Sequence, residues 1–302
     1  MKILRNLFVL LFVLGLSLCA LGFEVVDDVG RTVTLPQPAL RVVSLTPANT
    51  EIVFALGMEE KLVGVTTYCN YPEEARKKEK IGNITEVDLE ALVRLQPDLV
   101  LAGSLTPPEV VEKIEELGYP VFVCDARTIA QVIEDVQKVA LLLGVEEEGR
   151  TLSEAMEKRV EAITSRVSTL SQEKRPKVFH LIWHDPLWTA GRDTFIHEFI
   201  TLAGGENVVS DLSGYVTLDL EELLRRDPDI VTVVSTHNGE NLSYNFVMSD
   251  ERLKSLKAIR EKRVFVVDGD VVSRPGPRVV EALEIFAQIV HPEVFGPYRQ
   301  EN

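Results

Sequence analysis

Cysteine is scarce in this sequence, with three residues among 302, which is too few for a disulfide scaffold or a zinc ribbon. Basic residues are in the minority, because 32 Lys and Arg face 47 Asp and Glu, and the formal net charge is −15. Such an acidic chain repels phosphate backbones, so the composition argues against nucleic acid as a partner. With 18 Gly, 15 Pro and 45% apolar residues, the chain has a globular composition. Its length predicts roughly two domains.

The motifs of common enzyme classes are also missing. The sequence contains no G-x-S-x-G turn, no phosphate-binding loop, no G-x-G-x-x-G fingerprint and no Cys–His pairing. A glycan hydrolase would need paired carboxylates, and Asp185 and Asp270 are the only candidates, with no spacing that joins them. We therefore predict a binding protein and not an enzyme, with a secreted α/β enzyme as the remote alternative.

The N-terminus has the pattern of an export signal. Lys2 and Arg5 precede an apolar run over residues 7–18, which is shorter than the roughly 20 residues that a membrane-spanning helix needs. Small residues follow the run and end at Gly22, in the place of a cleavage site. We therefore predict a signal peptide over residues 1–22.

A second processing route remains open. Leu16-Ser17-Leu18-Cys19 resembles a bacterial lipobox, in which Cys19 would be lipidated and become the new N-terminus. Both routes predict a periplasmic or otherwise extracytoplasmic protein. Contact with the membrane is then expected only through a membrane partner or this lipid anchor.

Beyond the leader, short apolar runs alternate with segments of helical spacing. The expected strands are residues 41–45, 61–65, 99–101, 120–123, 177–182, 230–234 and 264–267. The expected helices are residues 50–56, 89–95, 109–117, 195–202, 220–226 and 279–290. This alternation is typical of βαβ units and predicts an α/β fold with two Rossmann-like lobes, each on a parallel sheet.

One long helix is predicted between the lobes, over residues 146–174. The segment has no proline and is rich in Glu, Lys, Arg, Ala and Leu. A helix of about 25 residues would be nearly 40 Å long and would act as a stiff spacer. The predicted organisation is therefore an N-terminal lobe over residues 23–145, this connecting helix, and a C-terminal lobe over residues 175–302.

A 13-residue segment occurs twice, at residues 88–100 and 219–231, and eight of the 13 positions are identical. Each copy begins with Asp-Leu-Glu, which places Glu90 and Glu221 in the first turn of a predicted helix. A favourable contact with the helix dipole would explain each glutamate separately. Their recurrence at matching positions favours a docking role instead, in which one carboxylate per lobe meets paired arginines on a two-subunit partner.

Three stretches of sequence resemble a known family. Residues 41–51, 63–72 and 88–100 are similar to the periplasmic binding proteins for cobalamin and iron chelates, and most similar to those for vitamin B12. The resemblance extends from about Phe23 to the C-terminus and is densest in residues 41–103. It implies two α/β lobes joined by one helix, with the ligand in the cleft.

The resemblance also implies a partner and functional residues. In that family, two glutamates dock onto arginines of the permease dimer of an ABC importer, which works with its ATPase. Glu90 and Glu221 match these positions. Tyr68 and Tyr215 match aromatic positions that contact cobalamin, and residues 183–188 fall in another contacting loop.

The sequence itself places aromatic side chains where a ligand is expected. Ligands of open α/β sheets bind beyond the carboxyl ends of the strands. Aromatic faces in the predicted loops there suit a flat or bulky ligand such as a corrin, a haem or a catecholate. These aromatic residues are Tyr68, Tyr71, Trp183, Trp188 and Tyr215.

Charged and metal-ligating residues occur near the same loops. Arg274 lies in a rigid turn and could bind a ligand carboxylate or phosphate. His184, His237 and Asp270 fall beyond strand ends and could ligate a metal or haem iron, or simply line the cleft.

The two cysteines that remain after export, Cys69 and Cys124, permit one disulfide, and two unpaired thiols are the alternative. Taken together, the sequence predicts an ABC importer's substrate-binding protein for cobalamin or a ferric siderophore. A haem or direct zinc or manganese protein is the alternative. No resident cofactor is expected, although the ligand itself would carry iron or cobalt.

Overall fold

The computed structural model describes residues 22–171, 175–235 and 241–299. Two compact units make up the chain. The first contains the residues up to Asp125 together with Lys138–Glu146, and the second contains Ala126–Gln137 and the residues from Glu147 onward. Apart from Gly22, the predicted signal peptide, with the lipidation candidate Cys19, lies outside the described residues, and so does His237.

The first unit is built on a four-stranded parallel sheet in the order β4-β3-β5-β6. A separate antiparallel hairpin, β1-β2, precedes it. The strands are β1 (Phe23–Val26), β2 (Thr32–Leu35), β3 (Val42–Ser44), β4 (Leu62–Val65), β5 (Leu99–Gly103) and β6 (Val121–Cys124). All residues of β5 and β6 are buried, as expected for a parallel sheet that is covered on both faces.

Three helices contact this sheet, α1 (Pro47–Ala55), α2 (Leu89–Leu95) and α3 (Pro108–Glu116). A fourth helix, α4 (Ile129–Leu143), begins in the second unit and ends in the first. Helix α1 begins at Pro47, three residues before the expected start at residue 50, because the Asn49 N–H donates to the Thr46 hydroxyl at 3.3 Å and Pro47 occupies the first turn. One core joins α2, α3 and the strands through residues that include Val43, Leu45, Ala91, Leu92, Val100, Val111 and Ile114.

The second unit contains a sheet in the order β10-β8-β7-β11-β12, with β9 beside β7. Its strands are β7 (Lys177–His184), β8 (Leu187–Ala190), β9 (Glu206–Asn207), β10 (Tyr215–Thr217), β11 (Ile230–Val234) and β12 (Val264–Val267). Its helices are α5 (Glu146–Val167, whose first residue belongs to the first unit), α6 (Phe195–Leu202), α7 (Leu220–Arg226), α8 (Leu242–Ser249), α9 (Lys257–Arg260), α10 (Gly269–Ser273), α11 (Val279–Val290) and α12 (Pro292–Phe295).

The predicted α/β fold class is confirmed, but the expectation of a purely parallel sheet is wrong at one edge of the second unit. Strands β7, β11 and β12 are parallel, whereas β8 and β10 are antiparallel to their neighbours. Only Asp185 and Pro186 separate β7 from β8. A connection of two residues can form only a hairpin, because a parallel crossover needs a dozen residues or more.

The helix predicted over residues 146–174 is found as α5, and it ends at Val167. The hydroxyls of Ser168 and Thr169 donate to the carbonyls of Ser165 and Arg166, both at 2.7 Å. These side chains compete for the last carbonyls of the helix and favour its end there. The role of this helix as a connector, and the lobe boundaries at residues 145 and 174, stay predictions.

Cys69 and Cys124 are buried and are not joined by a disulfide in this structure. The thiol of Cys69 instead contacts the hydroxyls of Thr50 and Thr66, at 3.1 and 3.3 Å. Of the two alternatives, this structure has the one without a disulfide.

Across the part of the chain that the structure describes, no helix is long and apolar enough to cross a membrane.

Candidate functional site

The hairpin of β7 and β8 carries both tryptophans of the chain. Trp183 and Trp188 are directly opposite each other in the antiparallel register. Their exposed fractions are 38% and 42%. Residues 183–188 were expected to form a loop, but only the turn at Asp185 and Pro186 is one. The expectation missed that β7 continues through Trp183 and His184.

Tyr215 extends the same surface, although it too was expected in a loop. It lies on β10, which pairs with β8 so that Thr217 is opposite Trp188. Since side chains two residues apart on a strand point to one face, Tyr215 lies on the face of both tryptophans. The ring centroids of Trp188 and Tyr215 are 6.0 Å apart, and Tyr215 is 54% exposed.

We call Trp183, Trp188 and Tyr215 the aromatic face. The opposite side of β8 holds buried residues, among them Leu187 and Thr189. One side of the hairpin is therefore anchored in the core of the second unit, while the other presents exposed rings. Strand pairing on both sides of β8 fixes the spacing of these rings.

His184 follows Trp183 at the end of β7 and is half-buried. Its ring lies 4.7 Å from that of Trp183 and 5.3 Å from that of Phe246, and its Nδ1 is 3.3 Å from the Ser243 hydroxyl. The metal site predicted for His184, His237 and Asp270 stays a prediction, because His237 is not described. Within the described residues, no three His, Cys, Asp or Glu side chains are grouped to hold a metal.

Asp270 and Arg274 are brought together in the second unit. Asp270 lies in the first turn of α10, and Arg274 directly follows that helix. The Nη2 of Arg274 donates to the Oδ2 of Asp270 at 2.7 Å. The Arg274 side chain is only 10% exposed. A ligand anion that binds Arg274 would therefore have to compete with Asp270, a constraint that the sequence did not reveal.

Tyr68 and Tyr71 belong to the first unit and are exposed in the loop after β4. Cys69, which lies between them in the sequence, is buried. Its contacts with Thr50 and Thr66 hold the loop against the end of the sheet. The loop therefore presents two tyrosines to solvent from a fixed base. Their role in ligand binding stays a prediction.

The two copies of the sequence repeat fold alike. Each forms a seven-residue helix, α2 or α7, then a residue in the left-handed conformation, then proline, aspartate and a central strand. Glu90 and Glu221 lie in the first turns of these helices and are exposed. Neither carboxylate has an ion pair within the described part of the chain, whereas Glu222 is bound by Arg225 and Arg226.

Several residues near Glu221 were missed by the sequence analysis. A pocket of about 400 Å³ opens between the β7–β8 turn and the start of α7, and its lining includes His184, Asp185, Asp219, Leu220, Phe246 and Arg252. Helix α8, which carries Phe246, was not predicted. Its buried residues are Ser243 and Val247, only one of which is apolar, so the sequence carries little helical periodicity there.

Comparison with known proteins identifies the family. The sequence profile of the periplasmic binding proteins matches residues 42–271. The chain belongs to the periplasmic binding protein family. The predicted resemblance is thereby confirmed, and the chain is a substrate-binding protein of the ABC-transporter type.

Individual relatives agree with this assignment. The chain is 31% identical over 276 residues to an uncharacterised ABC transporter substrate-binding lipoprotein, YvrC, of Bacillus subtilis, covering 89% of this chain and 86% of the relative. It is 28% identical over 248 residues to the vitamin B12-binding protein of Vibrio campbellii, covering 82% and 87%.

A solved structure supports the fold. The periplasmic haem-binding protein RhuT of Roseiflexus sp. RS-1, in its apo form, matches with a TM-score of 0.72 and 28% identity, covering 85% of this chain and 97% of that chain. All three relatives are named as binding proteins and not as enzymes, which agrees with the missing catalytic motifs.

Proposed function

We propose that this protein is the extracytoplasmic receptor that captures a metal chelate, cobalamin or a ferric siderophore, and delivers it to the permease of an ABC importer. The aromatic face carries this proposal. Three exposed rings on paired strands form a preorganised stacking surface, which suits a large ligand with flat, partly apolar groups. A small hydrated ion would make no use of such a surface.

The named ligand of a relative favours the same class. The vitamin B12-binding protein of Vibrio campbellii is similar over most of both chains. A corrin ring or the aromatic rings of a catecholate siderophore would stack on Trp183, Trp188 and Tyr215. Tyr68 and Tyr71 would supply further aromatic contacts from the first unit. The metal would arrive as part of the cargo, and we propose no resident cofactor.

Haem is the second candidate, because His184 lies beside the aromatic face and imidazole is a common axial ligand of haem iron. The similarity to the haem-binding protein RhuT supports it. A direct zinc or manganese site has less support. It would need three or four close ligands, and in the described part of the chain no three His, Cys, Asp or Glu residues are grouped to hold a metal.

The transporter contact would involve Glu90 and Glu221. Both are exposed at the start of matched helices, where they would meet arginines of a permease dimer that acts with its ATPase. Glu221 is available for such a contact because the arginines of its own helix bind the adjacent Glu222.

We also propose that the protein is exported through the signal peptide at residues 1–22. The Bacillus subtilis relative is named as a lipoprotein, which supports lipidation of Cys19 as the second route. Intact mass spectrometry of the protein from both the soluble and the membrane fraction of its native cells would distinguish an N-terminus after Gly22 from a diacylated Cys19.

A ligand panel tests the proposed function. Purified protein is incubated with cyanocobalamin, a ferric catecholate, haemin or zinc, desalted, and analysed by absorbance and metal content. Retention of one chelate at one equivalent, with quenching of tryptophan fluorescence, is the expected result. Retention of bare zinc alone, or of no member of the panel, would contradict the proposal.

A further inference from the structure

The loop that carries Tyr68 and Tyr71 is attached to the first unit through one buried side chain. Thr67, Tyr68 and Tyr71 are exposed and Asn70 is half-buried, whereas Cys69 is only 1% exposed. The loop follows β4 at the carboxyl end of the parallel sheet, which is where ligands of such sheets bind. Cys69 is therefore the side chain of this loop that can fix the position of both tyrosines.

The Cys69 thiol belongs to a buried network that reaches three other parts of the unit. Its Sγ lies 3.1 Å from the hydroxyl of Thr50 on α1 and 3.3 Å from that of Thr66, which follows β4. The Thr50 hydroxyl is 2.9 Å from that of Ser44 at the end of β3, and Ser44 donates to the Thr46 carbonyl at 2.9 Å. We call Ser44, Thr50, Thr66 and Cys69 the hydroxyl–thiol network.

The hydroxyl–thiol network favours one position of the loop. Each of its four members is at most 1% exposed. Hydroxyls and thiols can both donate and accept, so all members can be satisfied together. Because any other arrangement would leave a buried donor or acceptor unpaired, a satisfied network of this kind selects a single conformation. A displacement of the loop would break both contacts of the thiol in the interior of the unit.

Backbone contacts hold the start of the loop independently of the thiol. The Thr67 N–H donates to the Gly82 carbonyl at 2.9 Å, and the Cys69 N–H donates to the Thr66 carbonyl at 3.1 Å. The Lys80 ammonium donates to the Cys69 carbonyl at 3.5 Å. We therefore expect that removal of the sulfur atom loosens the tyrosines but leaves the loop folded.

We propose that the hydroxyl–thiol network positions Tyr68 and Tyr71 for cargo binding, and that Cys69 and Thr50 are positioning residues that act through the tyrosines without touching the cargo. This inference rests on the proposed function, because it takes the two tyrosines as part of the cargo site. Side chains that are already held in place lose less freedom on binding, so preorganisation raises affinity without adding a contact. A loop that is in place for only a fraction of the time lowers the apparent affinity by that fraction.

Stopped-flow fluorescence measures the rates of binding. The probe is cyanocobalamin, or the ferric catecholate if the panel retains that chelate instead. In Cys69→Ala the association rate constant should fall about fivefold, because fewer molecules have the tyrosines in place. The dissociation rate constant should change by less than about twofold, since the bound state keeps its contacts, whereas Tyr68→Ala removes a contact and should accelerate dissociation.

A double-mutant cycle separates positioning of the tyrosines from packing of the unit. In the Tyr68→Ala/Tyr71→Ala background, Cys69→Ala should leave the residual affinity unchanged, because no tyrosine is left to position. Cys69→Ser keeps a donor and an acceptor in the network, so its association rate constant should be within about twofold of the wild-type value. Thr50→Val keeps the shape of the side chain but removes the hydroxyl, and it should slow association as Cys69→Ala does.

Cys124→Ala is the matched control. Cys124 is the other buried thiol in the described part of the chain, and it ends β6, at the opposite edge of the sheet from β4. This variant also loses a buried sulfur atom of the first unit, yet it should bind the probe with the rate constants of the wild type.

Three results would overturn the inference. Cys69→Ala could bind at wild-type rates, it could lose as much affinity without the tyrosines as with them, or Cys124→Ala could slow association equally. If Cys69→Ala does not fold, the same comparisons with Thr50→Val decide the matter. A wild-type protein that binds neither probe would refute the proposed function and this inference with it, and that outcome is distinguishable because it is observed without any variant.

Discussion

The two copies of the repeat, at residues 88–100 and 219–231, share their backbone design. Gln96 and Asp227 both adopt the left-handed conformation after the helix, with φ of 47° and 40°. The next aspartate in each copy, Asp98 or Asp229, accepts a backbone N–H from the start of the neighbouring strand, at 2.9 Å from Arg41 and 2.8 Å from Lys177. The shared residues therefore encode one way of joining a helix to a central strand.

The copies differ where their helices begin. Asp88 caps α2, whereas Asp219 leaves α7 uncapped and lines the pocket beside the β7–β8 turn. Helix α7 is instead tied to the second unit by Arg226, which binds Asp211 and Glu222. Equal sequence thus fixes the backbone but not the partner of a side chain, because that partner is supplied by surroundings that the repeat does not contain.

Charge reversal at the two matched glutamates tests whether the copies act together. Glu90→Arg and Glu221→Arg should each reduce uptake into vesicles that contain the reconstituted importer, and the double variant should nearly abolish it. Two contacts made by one protein act through effective concentration, so the loss of both exceeds the loss of either. Exposed charge pairs are weak and screened, so the single effects should shrink as salt is added.

Ligand affinity of the purified variants is the control, and it should not change. Glu222→Arg is a poor control, because it breaks the ion pairs of α7, and Glu112→Arg on α3 is preferable. Normal uptake by the double variant would leave Glu90 and Glu221 as partners of the helix dipole only.

The sequence predicted the regular part of the fold well. The helices at residues 89–95, 195–202, 220–226 and 279–290 and the strands at 230–234 and 264–267 match the observed bounds. These segments have clear periodicity or turn residues at their ends, so local signals are sufficient. The hairpin of β7 and β8 was missed because a polar, aromatic stretch resembles a loop when its strand partner is unknown.

The candidate site was predictable only in its residue types. Aromatic residues near strand ends were identified, but their common face depends on the register between β7, β8 and β10, which the sequence does not state. The ion pair of Asp270 with Arg274 and the pocket at Asp219 depend on side-chain placement. Contacts of this kind arise from tertiary packing and leave no periodic signal.

The aromatic residues provide a second comparison of the units. Trp188→Ala or Tyr215→Ala should weaken chelate binding by about 1–3 kcal/mol, as expected for a central aromatic contact. Tyr68→Ala in the first unit should have a similar effect if both units hold the ligand. Fluorescence titration with the chelate retained in the panel measures each affinity.

Phe295→Ala is the matched control, since that ring packs on Arg166 and not on the aromatic face. It should leave affinity unchanged. A Trp188→Ala protein that melts early but binds normally per folded molecule would show that this ring serves stability alone. A loss at Tyr215 without a loss at Tyr68 would confine recognition to the second unit.

Acid should weaken the second unit first, because all five histidines lie at or after residue 180. Burial lowers the pKa of His180 to about 3, and its Nδ1 is 2.8 Å from the Thr232 hydroxyl. The unfolded chain binds a proton near pH 6.5 and the folded chain does not, so stability falls as pH decreases below that value. The loss at pH 5 should be about 2 kcal/mol from this residue.

Hydrogen exchange at pH 7 and pH 5, corrected for intrinsic rates, measures this difference. Amides of β7 and β11 should lose protection, whereas those of β3 and β5, where no histidine is present in the sequence, should keep it. The pH dependence in β7 should be reduced in His180→Gln. Equal loss of protection in both sheets would contradict the assignment to His180.

The smallest expected effect on stability distinguishes Asp88 from Asp219, the aspartates that precede the two helices of the repeat. Asp88→Ala should destabilise the first unit by about 1 kcal/mol, the usual cost of removing an N-cap. Asp219→Ala should destabilise the second unit by at most a few tenths of a kcal/mol. The residue makes no cap, and its charge is repelled by Asp185 and Glu221 nearby. Urea unfolding followed by exchange of amides in α2 and α7 gives both values.

The contribution of the helix dipole largely cancels when Asp88→Ala is compared with Asp219→Ala. Both substitutions delete one negative charge before a seven-residue helix, so the dipole contribution falls in both. The difference between them contains the hydrogen bond to Ala91 and the repulsion that Asp219 feels from its acidic neighbours. Asp88→Asn should restore the first unit, since an amide oxygen caps as a carboxylate does. If both alanine variants lost the same stability, Asp219 would be an ordinary cap, and the two copies of the repeat would begin their helices in the same way.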